Sequence, residues 1–213
     1  MRQQPQREFT LVDMARAFDV AAHTAVNQKR KYTGEDYHVH PEEVLSILLT
    51  YCDPNAEEQA AALLHDVVED TATTREHIAR VFGQRVAKLV MEVSDVSKPT
   101  DGSRKVRKAL DREHLAKASL AGKQLKCADL ISNSKSIAQH DVKFAQVYLE
   151  EKLAILFDFY DEMFNDPIFI KAMEVCGQAF LAVYPDGVIR ETVMKKLLKD
   201  KPDLFVSQLW GDV

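Results

Sequence analysis

Within six residues the chain places His65, Asp66, Glu69 and Asp70, four groups able to bind a metal or move a proton, in the apolar run Ala61-Ala62-Leu63-Leu64-His65-Asp66-Val67-Val68-Glu69-Asp70. Helical spacing sets His65 over Glu69 and Asp66 over Asp70, in two columns about 100° apart. The alanine, leucine and valine neighbours put these groups at the rim of a core, where unpaired charge is penalised. A bound cation would remove that penalty.

Other residues could complete such a site. His40 stands just before Pro41 and the apolar run Val44, Leu45, Ile47 and Leu48, at the start of a helix that takes proline in its first turn. Asp129 and Asn133 lie four apart on one face of a helix whose other flank carries Leu130 and Ile131. Singly, His40 reads as a cap, Asp129 as an ion-pair partner and Asn133 as a backbone hydrogen bonder. Together with His65 and Asp66, however, His40 and Asp129 make a shell of two imidazoles and two carboxylates. That mixture suits manganese, iron(II) or zinc better than magnesium or a thiolate zinc site. A metal so held lowers the pKa of water from 15.7 toward about 7 and neutralises charge on a phosphoryl oxygen, the chemistry of a phosphate ester or anhydride hydrolase.

The elements that must position these groups read as helices. Seven glycines and seven prolines in 213 residues, with apolar residues at spacings of three and four, predict an all-α chain. Helices are expected over 9–30, 41–52, 56–70, 74–81, 83–97, 104–119, 122–139, 142–164, 167–182, 187–199 and 202–209. Short connections favour an orthogonal helical bundle over an extended array. We expect a catalytic domain over 1–163 and a helical extension over 164–213, packed on the bundle or used for association as a homodimer; Leu209 and Trp210 near its end are an aromatic anchor for the second use.

The composition narrows the partners. No apolar run approaches the roughly 18 residues of a membrane span, and the first residues lack the apolar core of a signal peptide, so no membrane association and a cytoplasmic location are expected. Cys52, Cys127 and Cys176 have no metal-binding spacing and read as reduced core residues. A net charge of −5 disfavours nucleic acid. The charge is uneven: residues 98–126 carry nine bases against three acids, leaving −11 elsewhere. This basic segment reads as a solvated face or as a field for a small polyanion.

Three ordered motifs resemble the HD-domain metal phosphohydrolases, and more narrowly the Rel/Spo-type alarmone hydrolases, including the small stand-alone ones. Gly34-Glu35-Asp36-Tyr37-His38-Val39-His40-Pro41 is similar to GExYxxHP, His65-Asp66-Val67-Val68-Glu69-Asp70-Thr71 to HDxxEDT, and Ala128-Asp129-Leu130-Ile131-Ser132-Asn133 to ADxxxN. The resemblance covers about residues 10–160 and implies an HD-domain helical bundle with additional C-terminal helices. It assigns His40, His65, Asp66 and Asp129 to a manganese ion, and Glu69 with Asp70 to water activation and proton transfer. It implies removal of the 3′-pyrophosphate of guanosine tetra- or pentaphosphate, giving GDP or GTP and pyrophosphate.

The same resemblance places Asn133 against the nucleotide's sugar or phosphate. Where the family has a base-holding Arg-Lys pair, the spacing here gives Lys31 and Tyr32, with Arg30 one residue earlier. Lysine cannot stack as a planar guanidinium does, so Tyr32 is the candidate stacking group. From the basic segment Lys105 and Arg112 are favoured for the pyrophosphate, and Tyr148 with Lys152 for closing the nucleotide pocket. Ser94-Asp95 replaces the Thr-Lys pair of long bifunctional members, and the chain after residue 160 is too short for a synthetase domain. The alternatives are an HD-type phosphohydrolase of an adenine alarmone, a deoxynucleotide or NADPH, and a nonenzymatic nucleotide-binding regulator.

Overall fold

The computed structural model describes residues 8–198. Its helices are α1 (Leu11–Ala25), α2 (Val39–Tyr51), α3 (Ala56–Leu64), α4 (Val67–Asp70), α5 (Arg75–Phe82), α6 (Gln84–Val93), α7 (Arg104–Ala116), α8 (Leu120–His140), α9 (Val142–Met163), α10 (Pro167–Val183) and α11 (Gly187–Leu197). A 3-10 turn forms at Pro99–Asp101. No strand forms among the described residues, where Lys29 and Asp36 make an isolated bridge in the α1–α2 loop. No described helix is long and apolar enough to cross a membrane.

Local chemistry sets the helix starts. Thr10 and Asp13 exchange hydrogen bonds in a capping box before α1, and Asn55 with Glu58 does the same for α3. Asp166 caps α10, whose first residue is Pro167. Gly83, at φ 93°, ends α5 and starts α6 in a backbone conformation that side-chain-bearing residues rarely adopt.

At the centre lies α3. Ala60, Ala61, Ala62, Leu63 and Leu64 have no solvent exposure. A helix apolar all round must be covered all round, and α1, α2, α6 and α8 pack against it. The C-terminal end of α3 therefore delivers His65 into the interior, at 2% exposure. From the tail, α10 buries Ile168, Phe169, Met173 and Phe180 and packs on α8 and α9.

The structure corrects several expected boundaries. The helix expected over 56–70 is broken at His65 and Asp66, with Asp66 at φ −96°, ψ −10° as the cap of α4. The His65 imidazole competes for the Ala62 carbonyl that the helical ladder would use (2.8 Å). The helix expected over 9–30 ends at Ala25, because Asn27 takes a left-handed conformation (φ 52°) and the Gln28 N–H turns back to the His23 carbonyl. The one expected over 83–97 ends at Val93, since the Asp111 carboxylate accepts the N–H groups of Val96 and Ser97 and holds that strip out of the helix. The stretch 104–119 stops at Ala116, and Ser119 caps α8. The helix expected over 202–209, with Leu209 and Trp210, lies outside the described residues.

Candidate metal centre and active site

Two helices and the α3–α4 break converge their polar atoms. His40 comes from the first turn of α2, His65 and Asp66 from the break, and Asp129 from the middle of α8. One ligand atom from each of His40, His65 and Asp66 lies within 4.8 Å of the others. Asp66 Oδ2 is 3.1 Å from His65 Nε2 and 3.5 Å from His40 Nε2. Asp129 Oδ1 adds a fourth donor, 3.3 Å from His40 Nε2 and 3.9 Å from His65 Nε2.

Hydrogen bonds behind the cluster set the imidazole tautomers. Ser132 Oγ donates to Glu43 Oε2 (2.8 Å), so at 2.9 Å it accepts the proton on His40 Nδ1. His65 Nδ1 donates to the Ala62 carbonyl. In their neutral forms both rings therefore turn an Nε2 lone pair toward the carboxylates, and each Nε2 is buried without a hydrogen-bond partner. Two inward lone pairs beside two carboxylates, each ring oriented from behind, fit a divalent cation. Burial opposes charge on His65, but Asp66 and Asp129 outweigh it and push the imidazole up to about 9, so the cluster attracts positive charge.

The surrounding groups steer the carboxylates. The Tyr37 hydroxyl donates to Asp66 Oδ2 (2.6 Å). Lys126 Nζ sits 2.8 Å from Asp129 Oδ2, while Asn133 Nδ2 donates to Asp129 Oδ1 (2.5 Å). Asn133 in turn accepts from Arg30 at 3.1 Å, and that guanidinium lies 5.8 Å from the centre of the Tyr37 ring.

Glu69 and Asp70 leave the ligand cluster. Glu69 Oε1 accepts the Asp95 N–H (2.9 Å). Although the residue keeps a solvent-exposed edge, desolvation by the protein around its carboxyl, with the negative charge of Asp66, pushes it up to about 7. Asp70 Oδ2 accepts from Gln28 Nε2 (2.9 Å). The two columns expected from an unbroken helix are thus parted into two residues of the polar cluster, His65 and Asp66, and two separately held carboxyls.

The expected substrate residues fall into two groups. Lys105, Arg112 and Lys152 line a cavity of about 680 Å³ that reaches Ser94 and Asp95, and Lys126, for which no substrate role was expected, lines it too. Arg112 is paired with Asp158 at 2.6 Å. Burial, with Lys126 nearby, lowers Lys152 to about 8. Tyr32 is not among the residues lining that cavity and stacks on His140 (4.9 Å, 6°), and Lys31 Nζ is 4.9 Å from the Tyr32 ring centre and 5.0 Å from that of Phe144. Tyr148 contacts Phe144 and lies under Lys152 (6.1 and 5.1 Å). Arg30 rather than Lys31 reaches Asn133. Sequence reasoning gave no role to Arg30, Tyr37 or Ser132; the signal for Tyr37 was its place three residues before His40, within one turn.

The sequence profile of the HD domain matches residues 16–156. This chain belongs to the HD-domain family. Among curated proteins, it is 45% identical over 86 residues to guanosine-3′,5′-bis(diphosphate) 3′-pyrophosphohydrolase of Aquifex aeolicus, covering 40% of this chain and 12% of that one. It is 42% identical over 77 residues to guanosine-3′,5′-bis(diphosphate) 3′-pyrophosphohydrolase MESH1 of Drosophila melanogaster, covering 36% of this chain and 41% of that one. The HD-domain chain thus spans 12% and 41% of the lengths of these two relatives. A solved structure described as a metazoan ortholog of SpoT that hydrolyzes ppGpp superposes with a TM-score of 0.69 at 26% identity, over 83% of this chain and 98% of the other. A second, of lmo0812 from Listeria monocytogenes, gives 0.55 at 28% identity over 70% and 99%. The all-helical HD fold of this chain is shared with both.

Proposed function

We propose that this protein is a manganese-dependent hydrolase that removes the 3′-pyrophosphate of guanosine tetra- and pentaphosphate. The observation that carries the reading is the pair of buried, unpartnered Nε2 atoms of His40 and His65 facing Asp66 and Asp129. The names of the relatives supply the substrate. His40, His65, Asp66 and Asp129 would hold the metal, and with mixed nitrogen and oxygen donors manganese is favoured, iron(II) and zinc being chemically admissible. When bound, the cation supplies Lewis-acid stabilisation of charge on a phosphoryl oxygen and acidifies water.

The environments of the two remaining carboxyls divide the proton work. Glu69, pushed up to about 7, retains a proton that it can hand to the leaving 3′-oxygen. Asp70, held by the Gln28 N–H, is the acceptor for the proton of the attacking water. Water oxygen bonds to the phosphorus carried by the 3′-oxygen, the bond between that phosphorus and the 3′-oxygen breaks, and GDP or GTP departs with pyrophosphate. Lys105, Arg112, Lys126 and Lys152, around the 680 Å³ cavity, would neutralise the phosphate chain. Asn133 and Arg30, with the stacked ring of Tyr32, would hold the nucleoside, Lys31 would add charge beside it, and Tyr148 would close that end of the pocket.

A test is product analysis of metal-reconstituted protein with guanosine tetraphosphate and manganese, with Asp66→Asn as control. GDP and pyrophosphate, both lost in the control, are expected. Release of inorganic phosphate, or turnover that survives Asp66→Asn, would overturn the reading. The Tyr32–His140 stack, at the position of the family's Arg-Lys pair, favours including adenine and deoxyribose analogues and NADPH in the same panel.

A further inference from the structure

The mechanism above leaves unused the most deeply buried ion pair of α1. Asp19 and His23 are 1% and 2% exposed and sit one helical turn apart, with Asp19 Oδ1 3.2 Å from His23 Nε2, an electrostatic contact whose geometry makes no hydrogen bond. A buried acid–imidazole pair is costly to keep unless it does something for its neighbours. Its outward contacts lead to the active site by two routes. His23 Nδ1 is 2.7 Å from Gln28 Oε1, and Gln28 Nε2 donates to Asp70 Oδ2 at 2.9 Å. The His23 ring also packs on the Tyr37 ring, 4.6 Å between centres, and Tyr37 donates to Asp66.

We propose that Asp19, His23 and Gln28 are a positioning relay that fixes the orientation of the Asp70 carboxylate for proton transfer. The inference rests on the hydrolase reading for what Asp70 does, but its geometry stands without it. A glutamine amide has two ends of similar shape and opposite polarity, and only its neighbours decide which end faces where. Asp19, facing Nε2, leaves Nδ1 as the nitrogen through which His23 meets Gln28. In the imidazolium that Asp19 favours, Nδ1 carries a proton and donates it to the oxygen end of the amide, which commits the NH₂ end to Asp70. The Asp70 oxygen so held is Oδ2, and Oδ1 has no hydrogen bond among the described residues. Proton transfer depends steeply on such alignment, since misplacement by about 1 Å costs about 100-fold in rate.

The relay does not touch the metal ligands except through the Tyr37 ring, which separates its effect from metal binding. Gln28 is only partly buried, so its substitution leaves the core intact. The test uses the full, metal-reconstituted chain with Gln28→Met, which keeps length and removes the donor, and Gln28→Glu, which turns an acceptor toward Asp70. Turnover of guanosine tetraphosphate should fall about 10- to 100-fold in kcat, further for Gln28→Glu, with KM and manganese affinity within about twofold of the parent. Unchanged kcat, or parallel losses in KM and metal affinity, would overturn the proposal. A second measurement needs no turnover: in ¹⁵N NMR spectra of the same chain, the Gln28 side-chain amide should shift on Asp70→Asn, and His23 Nδ1 should be protonated. An unmoved Gln28 amide or an unprotonated Nδ1 overturns the relay. Failure of the parent to hydrolyse guanosine tetraphosphate would sink the substrate reading while this measurement still decides the relay.

Discussion

Tyr37 and Asp66 are joined by a 2.6 Å hydrogen bond to the same carboxylate oxygen that faces both imidazoles. The phenol therefore fixes where the oxygen that would bind the metal points. It is also buried beside negative charge, which raises its pKa far above the ordinary value and keeps it a donor at any working pH. Groups that orient a ligand from behind are typically worth about 10- to 100-fold in metal affinity. Tyr37→Phe should weaken manganese binding by at least about 10-fold in titration calorimetry while leaving the helical circular dichroism signal unchanged. Equal affinity would show that Asp66 is oriented by its backbone alone.

In the proposed hydrolase, Glu69 should set the alkaline side of the pH profile. As the proposed acid it must be protonated, and its carboxyl is pushed up to about 7. Activity should accordingly be lost as pH rises through that value, and a cation in the cluster can only move the limb lower, because it favours the carboxylate. Glu69→Gln should keep the metal, lower kcat by about 100-fold or more, and abolish the limb. A limb of the opposite sign, with activity lost on acidification and removed by Glu69→Gln, would make Glu69 the base instead.

Metal should stabilise the fold as well as enable chemistry. A ligand bound to the folded chain alone adds about 2.7 kcal/mol at 100 times its dissociation constant. Stripping the metal should thus lower the melting temperature, and manganese should restore it in a concentration-dependent way. Asp66→Asn should melt at one temperature with or without manganese; a metal-dependent shift in that variant would place the cation elsewhere.

Away from the site, Lys123 is buried to 2% exposure, with its ammonium 2.6 Å from the exposed Glu162 and 5.6 Å from the Phe159 ring centre. Its stem fills core space while its charge reaches the rim. Lys123→Met keeps most of that volume and should cost less than about 1.5 kcal/mol in urea unfolding. Lys123→Ala opens a cavity and should cost about 2 kcal/mol or more. Equal costs would mean that charge, not packing, governs the position.

The residues of the polar cluster could be read from the sequence because each lies within a short motif with a fixed local frame: His40 before Pro41, His65 next to Asp66, Asp129 one turn from Asn133. The same local reasoning misled where a side chain overrode the backbone. Apolar spacing runs unbroken through Val67 and Val68, and nothing in it marks the carbonyl that His65 takes from the α3 ladder. Separations of 29 residues between Tyr37 and Asp66, 92 between His40 and Ser132, and 103 between Arg30 and Asn133 leave no periodic trace. Such pairs become visible only when helices pack.

Asp111 ties the loop after α6 to helix α7 through the N–H groups of Val96 and Ser97 and the Ser97 hydroxyl. The neighbouring Asp95 N–H is the one that Glu69 accepts. The helix carrying Lys105 and Arg112 and the amide holding Glu69 therefore belong to one lever. Displacing α7 would move the strip that carries that amide, so in the proposed hydrolase the phosphate-facing bases of α7 and the carboxyl of Glu69 would respond together.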